Sequence, residues 1–378
     1  MTSAVRRLSV CLTILFSFSL SACSTDRPAA SGVATSIPTA APISAPLSPT
    51  SVPAVQTPIL QATLPTALPT PTFDPHTCPL TGLPVEDLDW SQRRAILVQL
   101  GNSPPERPQS ELALADLVFE HLTEGGITRF SAVYLCQTAL NIGPVRSGRL
   151  VNLENVPMLN AIFVHVGASN GVLARFNASE INQAKFDEYV GDPGITRITT
   201  RQPPFNAYTS TELIWSLARE RGWASGDRVT VLPFDARLPS DGGPATRIDL
   251  PIRPGVTDVA YAYDAASGVY LRSMAGFPHT DLATGEQLRA ANVLVIYAAH
   301  TETDIIEDSL GSRSIQIDLT SGGRAQLLRD GQVYEGRWSR PDPHAFFELT
   351  DAAGDPLNLK PGVTWIQIVP MDFAVTIG

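Results

Sequence analysis

The chain is poor in lysine: only Lys185 and Lys360 occur among its 27 basic residues. Nearly all positive charge is therefore arginine, a planar and permanently charged fork suited to carboxylates and phosphates. Acidic residues number 37, for a formal net charge of −10. That balance excludes a general affinity for nucleic acid or for anionic lipid headgroups. A membrane-spanning run is missing too, because a helical span needs about 20 apolar residues and Val10 to Leu20 is too short. The sequence has no Gly-x-Ser-x-Gly elbow, no Walker lysine and no cysteine–histidine spacing typical of zinc. No cofactor or metal is expected.

What is present begins with Cys23. It closes Leu20-Ser21-Ala22-Cys23, behind a short apolar stretch that follows Arg6 and Arg7. A basic flank, a short apolar run, small residues and then cysteine form the pattern of a cleaved export signal whose cysteine becomes lipidated. The expected organisation is a signal peptide over residues 1–22, then a lipid-carrying Cys23, palmitoylated and tethered to the extracytoplasmic face of the cell membrane. Loss of Arg6 and Arg7 with the leader would take the charge from −10 to −12. Stable anchoring needs more than one acyl chain, which a multiply acylated cysteine supplies. Cys78 and Cys136 then remain in an oxidising compartment, where they are candidates for a disulfide.

Residues 23–77 form the anchor and a linker rich in Pro, Thr, Ser and Ala. Such a segment buries too little apolar surface to offset chain entropy, so it is expected to stay extended. Residues 78–225 read as a mixed α/β domain. Ala95–Leu100 and Ala161–Val166 are strand-length apolar runs, and helices are expected near Asn152–Leu159, Asn170–Phe176 and Thr211–Arg221. Thr211 is a candidate cap for the last of these and Gly222 its stop. Residues 226–378 show short alternating runs between turn signals, as in Val259–Tyr263, Val293–Tyr297 and Thr364–Val369. This texture predicts a β-rich domain of sandwich or barrel type. The fold class is therefore α+β.

Gly125-Gly126 separates two β-prone runs and predicts a two-residue hairpin loop. In that register Glu124 opposes Ile127 and Leu122 opposes Arg129. Glu120, Glu124 and Arg129 then share one face, with Arg129 in reach of either carboxylate. A second constellation, Gly143-Pro144-Val145-Arg146-Ser147-Gly148-Arg149, offers backbone N–H groups and two guanidinium forks to an anion. His165, at the end of an apolar run, is a candidate partner for Ser147 or Glu124. His279 and Asp281 form a further small cluster.

These stretches resemble the YerB-like bacterial lipoproteins, which carry a two-part domain of unknown function numbered 3048. The likeness rests on Pro79-Leu80-Thr81-Gly82, Arg107-Pro108-Gln109-Ser110, Ala115-Asp116-Leu117-Val118-Phe119-Glu120, Glu124-Gly125-Gly126-Ile127-Thr128-Arg129-Phe130, Gly143-Pro144-Val145-Arg146-Ser147 and His165-Val166-Gly167. Pro204-Phe205-Asn206-Ala207-Tyr208, His279-Thr280-Asp281 and Gly362-Val363-Thr364-Trp365-Ile366 continue it. The resemblance implies an envelope lipoprotein with an α/β first part and a β-rich second part. It adds Asp116, Arg107 and Asn206 to the candidate residues and carries no reaction with it. Arg-Ser-Gly-Arg stands here where the family more usually has Arg-Ser-Ala-Arg.

Three functions fit these residues. The first is a binding or accessory module at the cell wall, taking a glycan, a peptide or an envelope protein in a groove of Glu124, Arg129, Arg146 and Arg149. The second is a peptidoglycan-processing enzyme with Glu124 as general acid, assisted by His165 or Asp116. The third is a scaffold that holds another envelope protein through the β-rich part.

Overall fold

A computed structural model describes residues 74–224 and 232–378. The expected leader, the expected lipidation site Cys23 and the expected linker up to residue 73 lie outside the described residues. No described helix is long and apolar enough to cross a membrane.

The fold is α+β, with few helices and a strand-rich second half. The principal strands of the first half are β1 (Ile96–Gly101), β2 (Leu117–Leu122), β3 (Thr128–Tyr134), β4 (Ile162–His165) and β5 (Lys185–Asp187). The helices are α1 (Asn152–Met158), α2 (Asn170–Asn177) and α3 (Thr211–Glu220). Ser210, not Thr211, caps α3: its hydroxyl accepts from the Leu213 N–H at 3.2 Å. Thr211 turns inward and bonds Ala139 instead.

The second half contributes β6 (Arg247–Leu250), β7 (Val259–Asp264), β8 (Val269–Met274), β9 (Phe277–Pro278) and β10 (Asn292–Ala298). A separate hairpin follows, of β11 (His300–Ile306) and β12 (Arg313–Ile317). Then come β13 (Gly322–Arg329), β14 (Gln332–Ser339), β15 (Glu348–Thr350), β16 (Thr364–Pro370) and β17 (Thr376–Ile377).

The large mixed sheet runs β15-β14-β13-β10-β16-β2-β3-β1-β4-β5, so it draws strands from both sides of residue 225. The join is β16, parallel to β10 on one side and to β2 on the other. Both faces of this sheet are covered, which explains why its central strands read as continuous apolar runs. On one face Leu97, Phe119, Phe163, Leu294 and Ile366 pack with α1, α2 and the β11–β12 hairpin. On the other, Val98, Val118, Phe130, Val295 and Trp365 pack with α3 and with a second sheet, ordered β9-β8-β7-β6-β17. Near the start of the described fold, the sulfurs of Cys78 and Cys136 stand 2.07 Å apart.

The β2–β3 connection corrects the expected register. Leu122 pairs with Thr128, His121 with Arg129 and Glu120 with Phe130. The link is the five-residue Thr123–Ile127 segment, in which Glu124–Gly126 make a tight helical turn and Thr123 donates its N–H to Ile127 O at 2.8 Å. Gly125 and Gly126 supply the positive φ this turn needs. A one-residue slip moves every side chain of one strand to the other face. Arg129 therefore shares a face with Phe119 and His121, while Glu120 looks the other way.

Candidate functional site

Two backbone segments bring the arginines together. The segment holding Arg146, Ser147 and Arg149 crosses the carboxyl ends of β1 and β4 rather than forming a free surface turn. Arg146 N donates to Gln99 O at 2.8 Å, Val166 N to Arg146 O at 3.0 Å, and Gly148 N to Gly167 O at 2.9 Å. A Cβ at Gly148 would stand 2.6 Å from the Phe176 ring, so an alanine here would need that ring to shift. The second segment is the β2–β3 turn, which carries Glu124.

Arg149 clasps Glu124 with two prongs, Nε to Oε2 at 2.9 Å and Nη2 to Oε1. Arg129 approaches the same carboxylate at 3.8 Å and donates Nη1 to the Ser147 carbonyl. Ser147 thus contributes its backbone oxygen. Arg149 Nη1 also lies 3.6 Å from Glu307, which arrives from the residue after β11. The Glu307 side chain is 1% exposed, and neither of its oxygens has a hydrogen-bond partner. Beside this group, Arg146 pairs with Glu106 at 2.5 Å, and Glu106 accepts from Ser103 N and Oγ.

A buried polar network supports the cluster. Arg149 N donates to Asn152 Oδ1, and Asn152 Nδ2 and Ser131 Oγ both donate to Gln99 Oε1. That leaves Gln99 Nε2 as a donor toward His121 Nε2 at 3.2 Å. His121 then accepts at Nε2 and is neutral. Burial, with a smaller effect from the charges of Arg129, Arg149 and His300, pushes its pKa down to about 3.

The ion pairs of the cluster are unevenly shared. For Glu124, burial alone would raise the pKa, but the hydrogen bond and charge of Arg149 and the charge of Arg129 outweigh it, giving about 2. Arg129 is pushed down to about 9, first by burial and then by repulsion from Arg149. Arg149 meets both Glu124 and Glu307, while Arg129 has no carboxylate nearer than Glu124 at 3.8 Å.

The remaining sequence candidates lie elsewhere. Glu120 is not part of this cluster. It is buried between the sheets, where Oε2 pairs with Arg272 at 2.8 Å and Oε1 accepts from Thr128 and Asn102. His165 is fully buried, stacked on Phe163 at 4.5 Å, and its Nδ1 lies 3.0 Å from Gly167 O, so it bonds backbone rather than Ser147. Asp187 stands 3.9 Å away from the ring. Burial lowers the His165 pKa.

Asp116 sits at the opposite end of β2 from Glu124, beside the two cysteines. It accepts from Leu135 N and Cys136 N, and burial raises its pKa to about 6. Asn206 ties the 197–208 loop through Arg197 and Ile198. Asp281 caps the Glu111 and Ala113 N–H groups, and His279 meets Gln109. Arg107 bonds Val256 O. The Arg-Pro-Gln-Ser and His-Thr-Asp stretches thus dock on one another.

Sequence reasoning missed Glu307, Glu106 and Arg272. Glu106 carried a readable signal, the Ser103-Pro-Pro-Glu106 capping box. Glu307 and Arg272 had none, since each reaches its partner across more than 150 residues of chain.

Comparison with known proteins places these features in a family. Residues 80–224 match the model described as "Protein of unknown function (DUF3048) N-terminal domain", and residues 248–366 match its C-terminal domain. Over 302 residues the chain is 36% identical to "Putative lipoprotein YerB" of Bacillus subtilis (strain 168), covering 77% of this chain and 86% of that protein. The crystal structure of YerB from Bacillus subtilis aligns with a TM-score of 0.69 at 33% identity, covering 80% of this chain and 99% of that one. With both parts matched in order and the same architecture in a solved relative, the chain belongs to the DUF3048 family.

Proposed function

We propose that this protein is a lipid-anchored module on the extracytoplasmic face of the cell membrane. In this reading it binds an anionic envelope ligand, a cell-wall peptide or glycan, at the Arg129–Arg149 cluster. The observation that carries the reading is the shared carboxylate: Arg149 and Arg129 both lean on Glu124. Arg129 reaches a carboxylate only at 3.8 Å, so a further anion would give its fork a close partner, and arginine forks favour carboxylate or phosphate. Arg146, 5.6 Å from the Phe205 ring and paired with Glu106, borders the cluster. The general-acid alternative is weakened, because a carboxyl held near pKa 2 is ionised at neutral pH and has no proton to give.

The anchor reading rests on Cys23 and its flanks, together with the lipoprotein name of the relative. The neighbouring Cys78 and Cys136 sulfurs fit an oxidised pair outside the cytoplasm.

Full-length protein in detergent, mixed with purified cell-wall sacculi and sedimented, tests the binding. Wild type is expected to co-sediment, and Arg149→Gln to weaken the association about tenfold. Sedimentation of both forms alike would refute the site. Mass spectrometry of the membrane-extracted protein should find acyl chains on Cys23 and no free thiol at Cys78 or Cys136. Cys23→Ala should leave the leader uncleaved and unacylated.

A further inference from the structure

A second recess lies where the Arg107-Pro108-Gln109 segment meets the tight β8–β9 hairpin. It is a cleft of about 210 Å³ whose lining includes Arg107, Pro108, Met274, Phe277, His279 and Thr280. Two polar atoms of these residues, His279 Nδ1 and Arg107 Nε, are buried without hydrogen-bond partners.

The first is His279, 3% exposed. Its Nε2 lies 2.7 Å from Gln109 Oε1. Gln109 Nε2 donates to Gly101 O and Asn102 Oδ1, which fixes the orientation of the amide and makes Oε1 an acceptor. The imidazole therefore carries its proton on Nε2 and a lone pair on Nδ1, and that Nδ1 is buried with no donor facing it. Burial, reinforced by the charges of Arg272 and Arg107, holds the ring neutral well below its ordinary pKa.

The second is Arg107. Its Nη2 donates to Val256 O at 2.5 Å, while Nε has no acceptor. Among the described residues no carboxylate is ion-paired with it; the charge of Arg272 disfavours its protonated form, while those of Glu120, Glu106 and Asp258 favour it. The wall is apolar: Met274 faces Phe277 across the hairpin, and Phe277 is 74% exposed.

A ligand matched to this cleft needs an anionic group for Arg107, an N–H or O–H donor for His279 Nδ1, and a small apolar part for Met274 and Phe277. Inorganic phosphate lacks the apolar part, and a neutral sugar lacks the charge. An acylated α-amino acid carries carboxylate, amide N–H and side chain on adjacent atoms. We infer that this cleft binds the C-terminal residue of a peptide, with its carboxylate on Arg107, its amide N–H on His279 Nδ1 and its side chain against Met274 and Phe277.

The test titrates full-length protein in detergent with N-acetylalanine and with acetyl-Ala-Ala, read by calorimetry. Saturable binding of both is expected, with the methyl ester and the N-methylated amide each at least about tenfold weaker. Arg107→Gln should weaken both acids to the level of the esters. Tighter binding of acetyl-Ala-Ala than of N-acetylalanine identifies a peptide terminus as the source, and equal binding a small acylated acid. Absence of saturation, or esters binding as well as acids, overturns the inference without relying on any variant. Arg149→Gln should leave this binding unchanged. Loss of binding in that variant would move the ligand to the other cluster and refute the assignment.

Discussion

Glu120 and Glu124 lie four residues apart, and each meets an arginine, yet the two pairs differ in every surrounding. The Glu120–Arg272 pair is dry, with side chains 1% and 0% exposed. Arg272 stands over three aromatic rings, Phe130, Tyr261 and Trp365, at 5.5, 5.4 and 4.8 Å. Both carboxylate oxygens of Glu120 are bonded, and the charges match one to one. The pair ties the first half's β2 to the second half's β8 across the layer between sheets. Glu124 instead sits in a turn at the rim and is divided between two arginines. The same residue types give a dry one-to-one weld in one place and a shared, partly exposed cluster in the other.

Breaking the weld should have the largest effect. Arg272→Met leaves Glu120 buried and uncompensated, with an expected loss of about 3–5 kcal/mol in urea unfolding. Adding Glu120→Leu should recover much of it, since a buried pair replaced as a unit by apolar residues is often near neutral.

Glu124→Gln comes next, with a loss on the order of 2–3 kcal/mol at pH 7. Its signature is the pH dependence. Because the folded pKa is depressed from 4.5 to about 2, the stabilisation is present above pH 4.5 and disappears as the pH falls toward 2. Wild type and variant should therefore converge in acid. Equal separation at pH 7 and pH 2.5 would argue against the pairing.

Asp116 moves in the opposite sense. Its folded pKa is raised to about 6, so its contribution is present below the unfolded value near 3.8 and is lost as the pH rises through 6. The difference in unfolding free energy between wild type and Asp116→Asn should shift against wild type between pH 4 and pH 7. The smallest effect belongs to the exposed Arg247–Asp249 pair, where Arg247→Ala should cost about 0–1 kcal/mol.

The elements themselves were legible from the chain. The apolar runs at 95–100 and 161–166 became β1 and β4 because sheets covered on both faces bury every position. The three helices formed near the residues where they were expected. The register of β2 against β3 was not legible. Gly-Gly favours a two-residue loop, but Thr257 Oγ1 and Arg253 Nη1 reach in from the second half to hold Gly126 O and Gly125 O, and the longer turn prevails. Of the candidate site, Glu124, Arg129 and Arg149 were visible because they are near in sequence. Glu307 and Arg272 were hidden because their proximity is made only by the assembled sheets.

One feature of the large sheet sets the timing of its assembly. The strand between its two halves, β16, spans Thr364–Pro370 of a 378-residue chain. Until those residues are free to pair, β2 and β10 each keep an open edge, and the sheet is two fragments. Contacts this distant in sequence close late and slowly. Until residues 364–370 take their place the two halves stay unjoined, and open edges of this kind need shielding in the interval.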